Sequence, residues 1–284
     1  MVEFVDSFSQ FGGERIFCRH VKPVGMDDPK GLVVLIHGFG EHIGRYNEVF
    51  EAYSNAGFYV FGHDHMGHGK SSGPRANTSN YENFIQVCKE HMEETSKKYP
   101  GKKLFVHGHS MGGLIGVRFT QKHDSMVDGL IMDAPLLGVP DFVPAWKVTL
   151  ANQLGKMPVL CKTPGDKVDS TTLSHDSAVG KDYDEDPLVY HGKTNAEFLR
   201  ASLVEVDNAM KNSQSIHCPV LALQGTADKL CPSSATKTFY ESIKCNDKTM
   251  NLFEGSFHVL RAEPHNGTKE SYFKIIVDWC LNHC

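Results

Sequence analysis

The chain has 284 residues, of which 40% are hydrophobic and 22% are charged, and its formal net charge is -5. This composition is typical of a globular protein with a substantial core, and the slight acidic excess gives no basic surface for nucleic acid. The first twenty residues contain acidic side chains and no apolar segment, and no apolar run reaches the roughly 18 residues that span a membrane. We therefore predict a cytoplasmic protein without a spanning helix or a nucleic-acid partner.

Short β-branched and aromatic runs alternate with longer amphipathic stretches along the chain. The sequence predicts strands at Glu14–Cys18, Leu32–Ile36, Tyr59–His63, Lys103–His107, Leu130–Asp133, Val220–Gln224 and Thr249–Phe253. Helical patterns lie at Tyr81–Tyr99, Met111–His123, Ser233–Ile243 and Lys269–Asn282. Strands such as LVVLI are apolar without alternation, which is typical of a parallel sheet covered by helices on both faces. We predict a doubly wound, mostly parallel α/β fold, with the first strand as a candidate antiparallel edge strand.

One region between two predicted strands departs from this alternation. Residues 139–215 contain several prolines and glycines and two apolar helical patches, but no clear strand. The patches are Phe142–Leu160 and Ala196–Met210. We interpret residues 139–215 as a mostly helical insertion, and residues 1–138 and 216–284 as the α/β core of the same domain.

The strongest chemical motif is GHSMG, which directly follows a predicted strand and opens a predicted helix. A nucleophilic serine at a strand–turn–helix junction needs neighbours almost without side chains, and Gly108 and Gly112 meet that need. The N-terminus of the helix also favours the negative charge that develops there during acyl transfer. The motif therefore predicts Ser110 as the nucleophile of a serine hydrolase.

A serine hydroxyl needs a base, and in hydrolases with this motif an acid and then a histidine follow later strands. Asp228 follows the strand PVLALQG, and His258 follows the strand TMNLFEG. His258 would take the proton of Ser110, while Asp228 orients the imidazole. The tetrahedral intermediate needs two backbone donors, for which we predict the N–H of Met111 and the N–H of Phe39 in the loop HGFG.

The segment HDHMGHGKS at residues 63–71 offers a competing interpretation, because histidine and aspartate are zinc ligands. A metal hydrolase would need a further ligand from a distant strand and would leave the serine motif unexplained. The eight cysteines form no CxxC pair and indicate reduced thiols rather than a zinc cluster. We interpret the segment as a turn fixed by Asp64 and by two glycines, whose histidines support the HGFG loop. We expect no metal and no other cofactor.

Five segments together resemble the monoglyceride lipase family of serine α/β-hydrolases. They are HGFGEHIGRY (37–46), HDHMGHGKS (63–71), GHSMGG (108–113), LQGTADKLC (223–231) and FEGSFHVL (253–260). The resemblance covers nearly the whole chain and is weakest in the helical insertion. It implies the α/β-hydrolase fold with residues 139–215 as a cap, and cleavage of monoacylglycerol to fatty acid and glycerol through an acyl-serine intermediate. It also implies the same triad and oxyanion hole.

We predict five side chains around the substrate: Glu41, Arg45, His109, Tyr183 and Arg261. The resemblance implies three of them, Glu41, Arg45 and Tyr183. Glu41 and Arg45 would lie at the glycerol end, although an ion pair that only holds the loop is an equal alternative. Tyr183 matches a cap tyrosine that closes over the glycerol. Arg261 stands where vertebrate members have a second histidine, which puts strict glycerol recognition in question.

Apolar residues of the insertion would line an acyl tunnel and contact a membrane surface. They are Phe142, Val143, Trp146, Val148, Leu150, Leu154, Val159 and Leu160. A helix with Trp, Leu and Lys can lie in an interface without spanning it, so we predict peripheral membrane association and a lipid substrate. Packing of the cap onto the body is the alternative.

Two alternatives to this function come from the same fold. A lysophospholipase or general carboxylesterase would share the triad and differ only in a few head-group contacts. A catalytically silent ligand-binding scaffold is more remote, because such scaffolds often lose the acid or the histidine.

Overall fold

The structure is a computed structural model that describes residues 2–76, 80–139, 145–154 and 167–284. Within these residues one sheet contains β1 (Phe4–Phe11), β2 (Glu14–Val21), β3 (Leu32–Ile36), β4 (Tyr59–His63), β5 (Leu104–His109), β6 (Gly129–Asp133), β7 (Val220–Gly225) and β8 (Lys248–Phe253). The same residues form the helices α1 (Asn47–Asn55), α2 (Tyr81–Lys98), α3 (Met111–Lys122), α4 (Ala145–Leu154), α5 (Ser177–Glu185), α6 (Ala196–Lys211), α7 (Ser233–Ser242) and α8 (Thr268–Asn282).

The strand order of the sheet is β1-β2-β4-β3-β5-β6-β7-β8. The strands from β4 to β8 along this order are parallel, and β2 is antiparallel to both of its neighbours. The chain proceeds to one side after β3 and to the other side from β5 onward, so the order reverses between these two strands. Ligands of open α/β sheets bind outside the carboxyl ends of strands at such a reversal. The predicted doubly wound, mostly parallel fold is confirmed.

The first predicted strand is not at the edge of the sheet. The strand β2, which extends the predicted Glu14–Cys18, lies between β1 and β4, and β1 occupies the edge. The sequence of β1, FVDSFSQF, is half polar and most of the strand is exposed. It therefore lacks the apolar run that marks a buried strand. It pairs with β2 through a tight turn in which Gly12 and Gly13 both have positive φ.

The core lies on both faces of the sheet, because successive side chains of a strand point to opposite sides. In β3, Leu32, Val34 and Ile36 face the cluster formed with α2, α3 and α6. Val33 and Leu35 face the other cluster, formed with α1 and α8. All five side chains are at most 1% exposed, which explains why the strand has no polar alternation.

Between β6 and β7, the described residues form the helices α4, α5 and α6 and no strand. The helix α4 packs against α6, and α6 packs against α3 of the body. No helix in the described part of the chain is long and apolar enough to cross a membrane. Four residues of the predicted apolar patch, Phe142, Val143, Val159 and Leu160, and the side chain of Leu154 lie outside the described residues. The cap boundaries at 139 and 215 stay a prediction.

Candidate active site

Ser110 lies at the turn between β5 and α3, with a φ of +55°. This left-handed conformation is unfavourable for a residue with a side chain, so surrounding contacts must hold it. The N–H of Ser110 donates to the carbonyl of Asp133 at 3.0 Å, and its carbonyl accepts from the N–H of Leu136 at 2.9 Å. A Cβ on Gly112 would lie 2.0 Å from the carbonyl oxygen of Ile36, so the motif glycine there is a steric requirement.

Asp228 and His258 form a buried pair on the loops after β7 and β8. The Nδ1 atom of His258 lies 2.7 Å from Oδ2 of Asp228, which also accepts from Nε2 of Gln224 at 2.9 Å. The Oδ1 atom accepts from the N–H groups of Leu230 and Cys231, at 2.8 and 3.0 Å. All four bonds favour the ionised carboxylate, which is the form that orients a catalytic imidazole.

Burial and pairing act in opposite directions on the pKa values of this pair. Burial raises the pKa of Asp228, but the imidazole and the bound N–H groups outweigh burial, so the pKa lies below its ordinary value. Burial lowers the pKa of His258, but the Asp228 carboxylate outweighs burial, so the pKa lies above its ordinary value. The pair is therefore suited to accept a proton at the imidazole.

The Oγ atom of Ser110 lies 4.0 Å from Sγ of Cys231. Among the hydrogen bonds of the described residues, none joins this hydroxyl to His258. The two loops nevertheless meet, because the ring of His109, the neighbour of Ser110, lies 4.7 Å from the ring of His258. Catalytic hydrogen bonds are often long or misaligned without substrate, so we expect Ser110 to change rotamer when an ester binds.

The loop after β3, which contains Phe39, packs against Ser110, the predicted nucleophile. A Cβ on Gly38 would lie 3.2 Å from Cβ of Ser110, so the loop backbone packs directly against the serine. The N–H of Gly38 is held by Oε1 of Glu41 at 3.2 Å. Within the described chain, the N–H groups of Phe39 and Met111 make no such bond to protein acceptors. Backbone donors without a partner among the described residues would suit a developing oxyanion beside Ser110, and the roles of Phe39 and Met111 as oxyanion donors stay a prediction.

The HDHMGHGKS segment braces this loop. The carboxylate of Asp64 accepts from the N–H groups of Ile43 and Lys70, each at 2.7 Å. The backbone N–H of His65 donates to Nε2 of His37 at 2.9 Å, and Nε2 of the His65 ring donates to the His37 carbonyl at 2.9 Å. No group of three potential metal ligands with suitable geometry occurs among the residues that the structure describes. The hydrogen bonds of Asp64 and His65 agree with the predicted role of this segment, which is to support the HGFG loop.

Glu41 lies in a buried cluster of charges beside the loop. Its carboxylate accepts from the hydroxyl of Tyr46 at 2.9 Å and from Nη2 of Arg261 at 3.2 Å, and Nε of Arg45 is 3.6 Å away. Burial raises the pKa of Glu41, but Arg261, His109 and Arg45 lower it more, to about 2. These contacts support the alternative in which Glu41 holds the loop. A role of Glu41 and Arg45 in head-group binding stays a prediction.

Two donors next to this cluster have no partner among the described residues. They are Nη1 of Arg261 and the hydroxyl of Tyr183, and both atoms are buried. The guanidinium carbon of Arg261 lies 4.1 Å from the ring centroid of Tyr46. The hydroxyl of Tyr183 faces the loop, where a Cβ on Gly40 would lie 3.5 Å from it. Leaving buried donors unpaired costs free energy, so a ligand with acceptor oxygens would be stabilised here.

His109 points into the body of the protein and is held by an acid that no motif marks. Its Nδ1 atom lies 3.1 Å from Oδ2 of Asp133, which also accepts from the hydroxyl of Tyr272 at 3.1 Å. Burial lowers the pKa of His109 by more than the Asp133 carboxylate raises it, so the pKa lies below its ordinary value, which favours the neutral ring. A neutral ring fixed through Nδ1 has one further nitrogen for a ligand, and substrate binding by His109 stays a prediction.

Two more acids lie beside predicted site residues or in the same loop, and sequence reasoning missed them. Asp186 accepts from Nε2 of His42 at 2.8 Å and from Nη1 of Arg45 at 3.2 Å. Glu263 accepts from the N–H of Phe257 at 3.0 Å, next to the catalytic-histidine candidate. Single acids in loops are common, so the only sequence signal is the short distance of Glu263 from the FEGSFHVL motif.

Comparison with known proteins gives consistent matches over most of the chain. Residues 27–265 match a family described as serine aminopeptidase, S33. Monoglyceride lipase of Rattus norvegicus is 35% identical over 252 residues, which are 88% of this chain and 82% of that protein. Monoglyceride lipase of Homo sapiens is 34% identical over 265 residues, which are 93% and 86%. The crystal structure of a monoacylglycerol lipase from Paleococcus ferrophilus matches with a TM-score of 0.82 and 32% identity, covering 95% of this chain and 99% of that one.

Proposed function

Because the chain belongs to the monoglyceride lipase family of serine α/β-hydrolases, we propose that it hydrolyses monoacylglycerols to a fatty acid and glycerol. The observation that supports this most is the convergence of a strained serine and a buried acid–histidine pair at the reversal of strand order. Ser110 follows β5, and its neighbour His109 contacts the ring of His258. A serine, a base and an orienting acid are the groups that ester hydrolysis requires.

The chemistry proceeds in two steps. His258 takes the proton of Ser110 while Oγ attacks the ester carbonyl carbon, and the carbonyl oxygen becomes an oxyanion held by the N–H groups of Phe39 and Met111. The imidazolium, stabilised by Asp228, then protonates the glyceryl oxygen as the ester bond breaks. Water, deprotonated by the same imidazole, attacks the acyl-serine and releases the fatty acid. Each oxyanion donor is expected to contribute about 3 kcal/mol to transition-state stabilisation.

The charges at the polar end favour an uncharged head group. Glu41 is paired with Arg261 and Arg45, and Asp186 is paired with Arg45, so neither of these two carboxylates remains for a choline cation. The buried donors at this end that have no hydrogen-bond partner among the described residues are Nη1 of Arg261, Nε of Arg45 and the hydroxyl of Tyr183. Glycerol hydroxyls supply acceptor oxygens for such donors without bringing a charge into the buried site. This supports a monoacylglycerol over a lysophospholipid.

A substrate panel tests this function. Purified protein is assayed with 1- and 2-monoacylglycerols, lysophosphatidylcholine, short p-nitrophenyl esters and an aminoacyl p-nitroanilide, with Ser110→Ala as the matched inactive variant. We expect monoacylglycerols to have the highest kcat/KM, and a fluorophosphonate probe to label the wild type only. Preference for lysophosphatidylcholine would refute the head-group assignment. Labelling retained in Ser110→Ala would refute the nucleophile, and an unlabelled wild type would favour a silent scaffold.

We also propose that the cap contacts a membrane surface through α4. Trp146 and Leu150 on this helix are 63% and 48% exposed, and burying such side chains in a lipid interface is favourable. The double variant Trp146→Ser/Leu150→Ser should bind phosphatidylcholine vesicles more weakly in sedimentation and keep its activity on a soluble ester. Leu252→Ser is the matched control, because Leu252 is 49% exposed on the edge strand β8. Equal vesicle binding by all three proteins would refute this role. A cytoplasmic location stays a prediction.

A further inference from the structure

One part of the cap, residues 173–190, contacts both loops that carry the proposed catalytic groups. We call it the clamp segment. At its C-terminal end, the N–H of Tyr190 donates to the carbonyl of Gly40 at 2.8 Å, next to the proposed oxyanion donor. The carboxylate of Asp186 accepts from Nε2 of His42 at 2.8 Å in the same loop. This end of the clamp segment therefore holds the oxyanion loop by backbone and by charge.

The N-terminal end of the clamp segment holds the loop of the proposed catalytic histidine. The N–H of Val259, the residue after His258, donates to the carbonyl of Leu173 at 2.8 Å. The hydroxyl of Ser174 donates to the carbonyl of Ala262 at 2.8 Å. The histidine loop is thus bonded to the cap on the C-terminal side of the imidazole, whereas Asp228 bonds the imidazole itself from the body.

Glu263 completes this connection and is fully buried. Its two oxygens accept from the N–H groups of Phe257 and His265, each at 3.0 Å, within the histidine loop. Both oxygens also lie 3.1 Å from Nδ1 of His175 in the clamp segment, and the N–H of His175 donates to the carboxylate at 3.3 Å. The ring of His175 stacks on Phe257 with centroids 3.8 Å apart. One carboxylate therefore binds the catalytic loop and the cap together.

We propose that the clamp segment sets the position of the histidine loop relative to the oxyanion loop, with Glu263 as the positioning residue. Asp228 fixes the tautomer and tilt of His258, but it does not fix the distance between the imidazole and the N–H of Phe39. The buried Arg261–Glu41 pair joins the two loops directly at 3.2 Å, and the clamp segment adds hydrogen bonds to both of them. Misplacement of reacting groups by about 1 Å can cost about 10²-fold in rate, so we expect loss of the clamp contacts to lower kcat. The inference rests on the proposed roles of Ser110 and His258.

The test compares Glu263→Gln with Glu270→Gln, an exposed glutamate on the neighbouring helix α8. A glutamine amide has one oxygen where glutamate has two. In Glu263→Gln, one of the two loop N–H groups and part of the His175 contact would therefore face an N–H group instead of an oxygen. We expect kcat on p-nitrophenyl butyrate to fall about 10- to 100-fold with KM within about twofold, and Glu270→Gln to match the wild type. Rates are expressed per active site titrated with a fluorophosphonate, so unfolded molecules do not count.

A second variant separates the clamp from simple bracing of the histidine loop. His175→Ala removes the side-chain contact on the cap and leaves Glu263 bonded to its own loop. We expect a smaller loss of kcat than in Glu263→Gln, and no further loss when the two changes are combined. A kcat of Glu263→Gln within twofold of wild type overturns the proposal, and so does wild-type kcat in His175→Ala. Because the ester lacks glycerol, failure of monoacylglycerol hydrolysis is a separate outcome that refutes the proposed function alone.

Discussion

Replacing Asp228 by asparagine gives the sharpest test of the proposed triad, because the surrounding contacts dictate how the amide must lie. The oxygen at the Oδ1 position accepts from the N–H groups of Leu230 and Cys231, so the amide oxygen will stay there. The amide nitrogen then takes the Oδ2 position, 2.7 Å from Nδ1 of His258. Gln224 cannot relieve this arrangement by flipping, because its amide nitrogen also donates to the carbonyl of Cys231 at 3.1 Å, and a flipped amide would place an oxygen against that carbonyl.

An amide N–H facing Nδ1 forces the imidazole to accept there and to carry its proton on Nε2. That tautomer cannot take the proton of Ser110, so the general base is lost while the fold and the oxyanion donors remain. In serine proteases the same change lowers kcat by about 10⁴-fold, or about 5 kcal/mol at 1.36 kcal/mol per tenfold change. We expect a loss of this size in Asp228→Asn.

The assay is stopped-flow acylation with p-nitrophenyl butyrate, with thermal unfolding of each variant as a control for folding. Ser110→Ala defines the rate without the nucleophile, and Asp182→Asn is the matched amide substitution at an exposed acid of α5. We expect Asp182→Asn to acylate at the wild-type rate. An Asp228→Asn rate within tenfold of wild type, with an intact fold, would refute the reasoning about the tautomer.

Three further predictions follow from backbone strain and from the pKa shifts. The value of kcat/KM should fall in acid with an apparent pKa above 6.5, because His258 must be neutral and its pKa is raised; a pH profile checks this. Ser110→Gly should unfold with a free energy about 1 kcal/mol higher than Ser110→Ala in urea, because glycine tolerates the φ of +55°. The free energy of unfolding should decrease as the pH falls below about 6.5. In that range the histidines of the unfolded chain bind protons, whereas burial lowers the pKa values of His37, His63 and His65 in the folded protein and so opposes their protonation. Urea titrations at pH 7.5 and 5.5 measure this decrease.

Much of the architecture can be predicted from the sequence because its signals are local. Continuous apolar runs marked the buried parallel strands, and the predicted family and fold are confirmed by the matches to monoglyceride lipases. The elements missed were β1, α1 and α5. All three elements are short. The sequences of β1 and α5, such as SAVGKDYDE, show no regular apolar period, whereas α1 places Val49, Phe50 and Tyr53 on one buried face, a helical period that covers only nine residues.

The candidate catalytic residues could also be selected from the sequence, for a chemical reason. A serine at positive φ needs glycines on both sides, so the strained turn leaves a motif in the sequence around Ser110. Asp228 and His258 follow strand ends, where the order of a parallel sheet brings loops to one edge. Their roles as base and orienting acid stay predictions until the variants above are measured.

Only the tertiary structure could identify the acids that organise this edge. Asp133 and Glu263 stand alone in their segments, and Asp186 is one of several acids in KDYDEDP; only a partner far away in the chain, such as His175 for Glu263, shows the contact that each makes. The structure also shows that Glu41 is already bonded within the protein, which a sequence match to a head-group position does not reveal. Local sequence determines backbone conformation and reactive motifs, whereas hydrogen bonds between distant loops exist only after the sheet and the cap have brought those loops together.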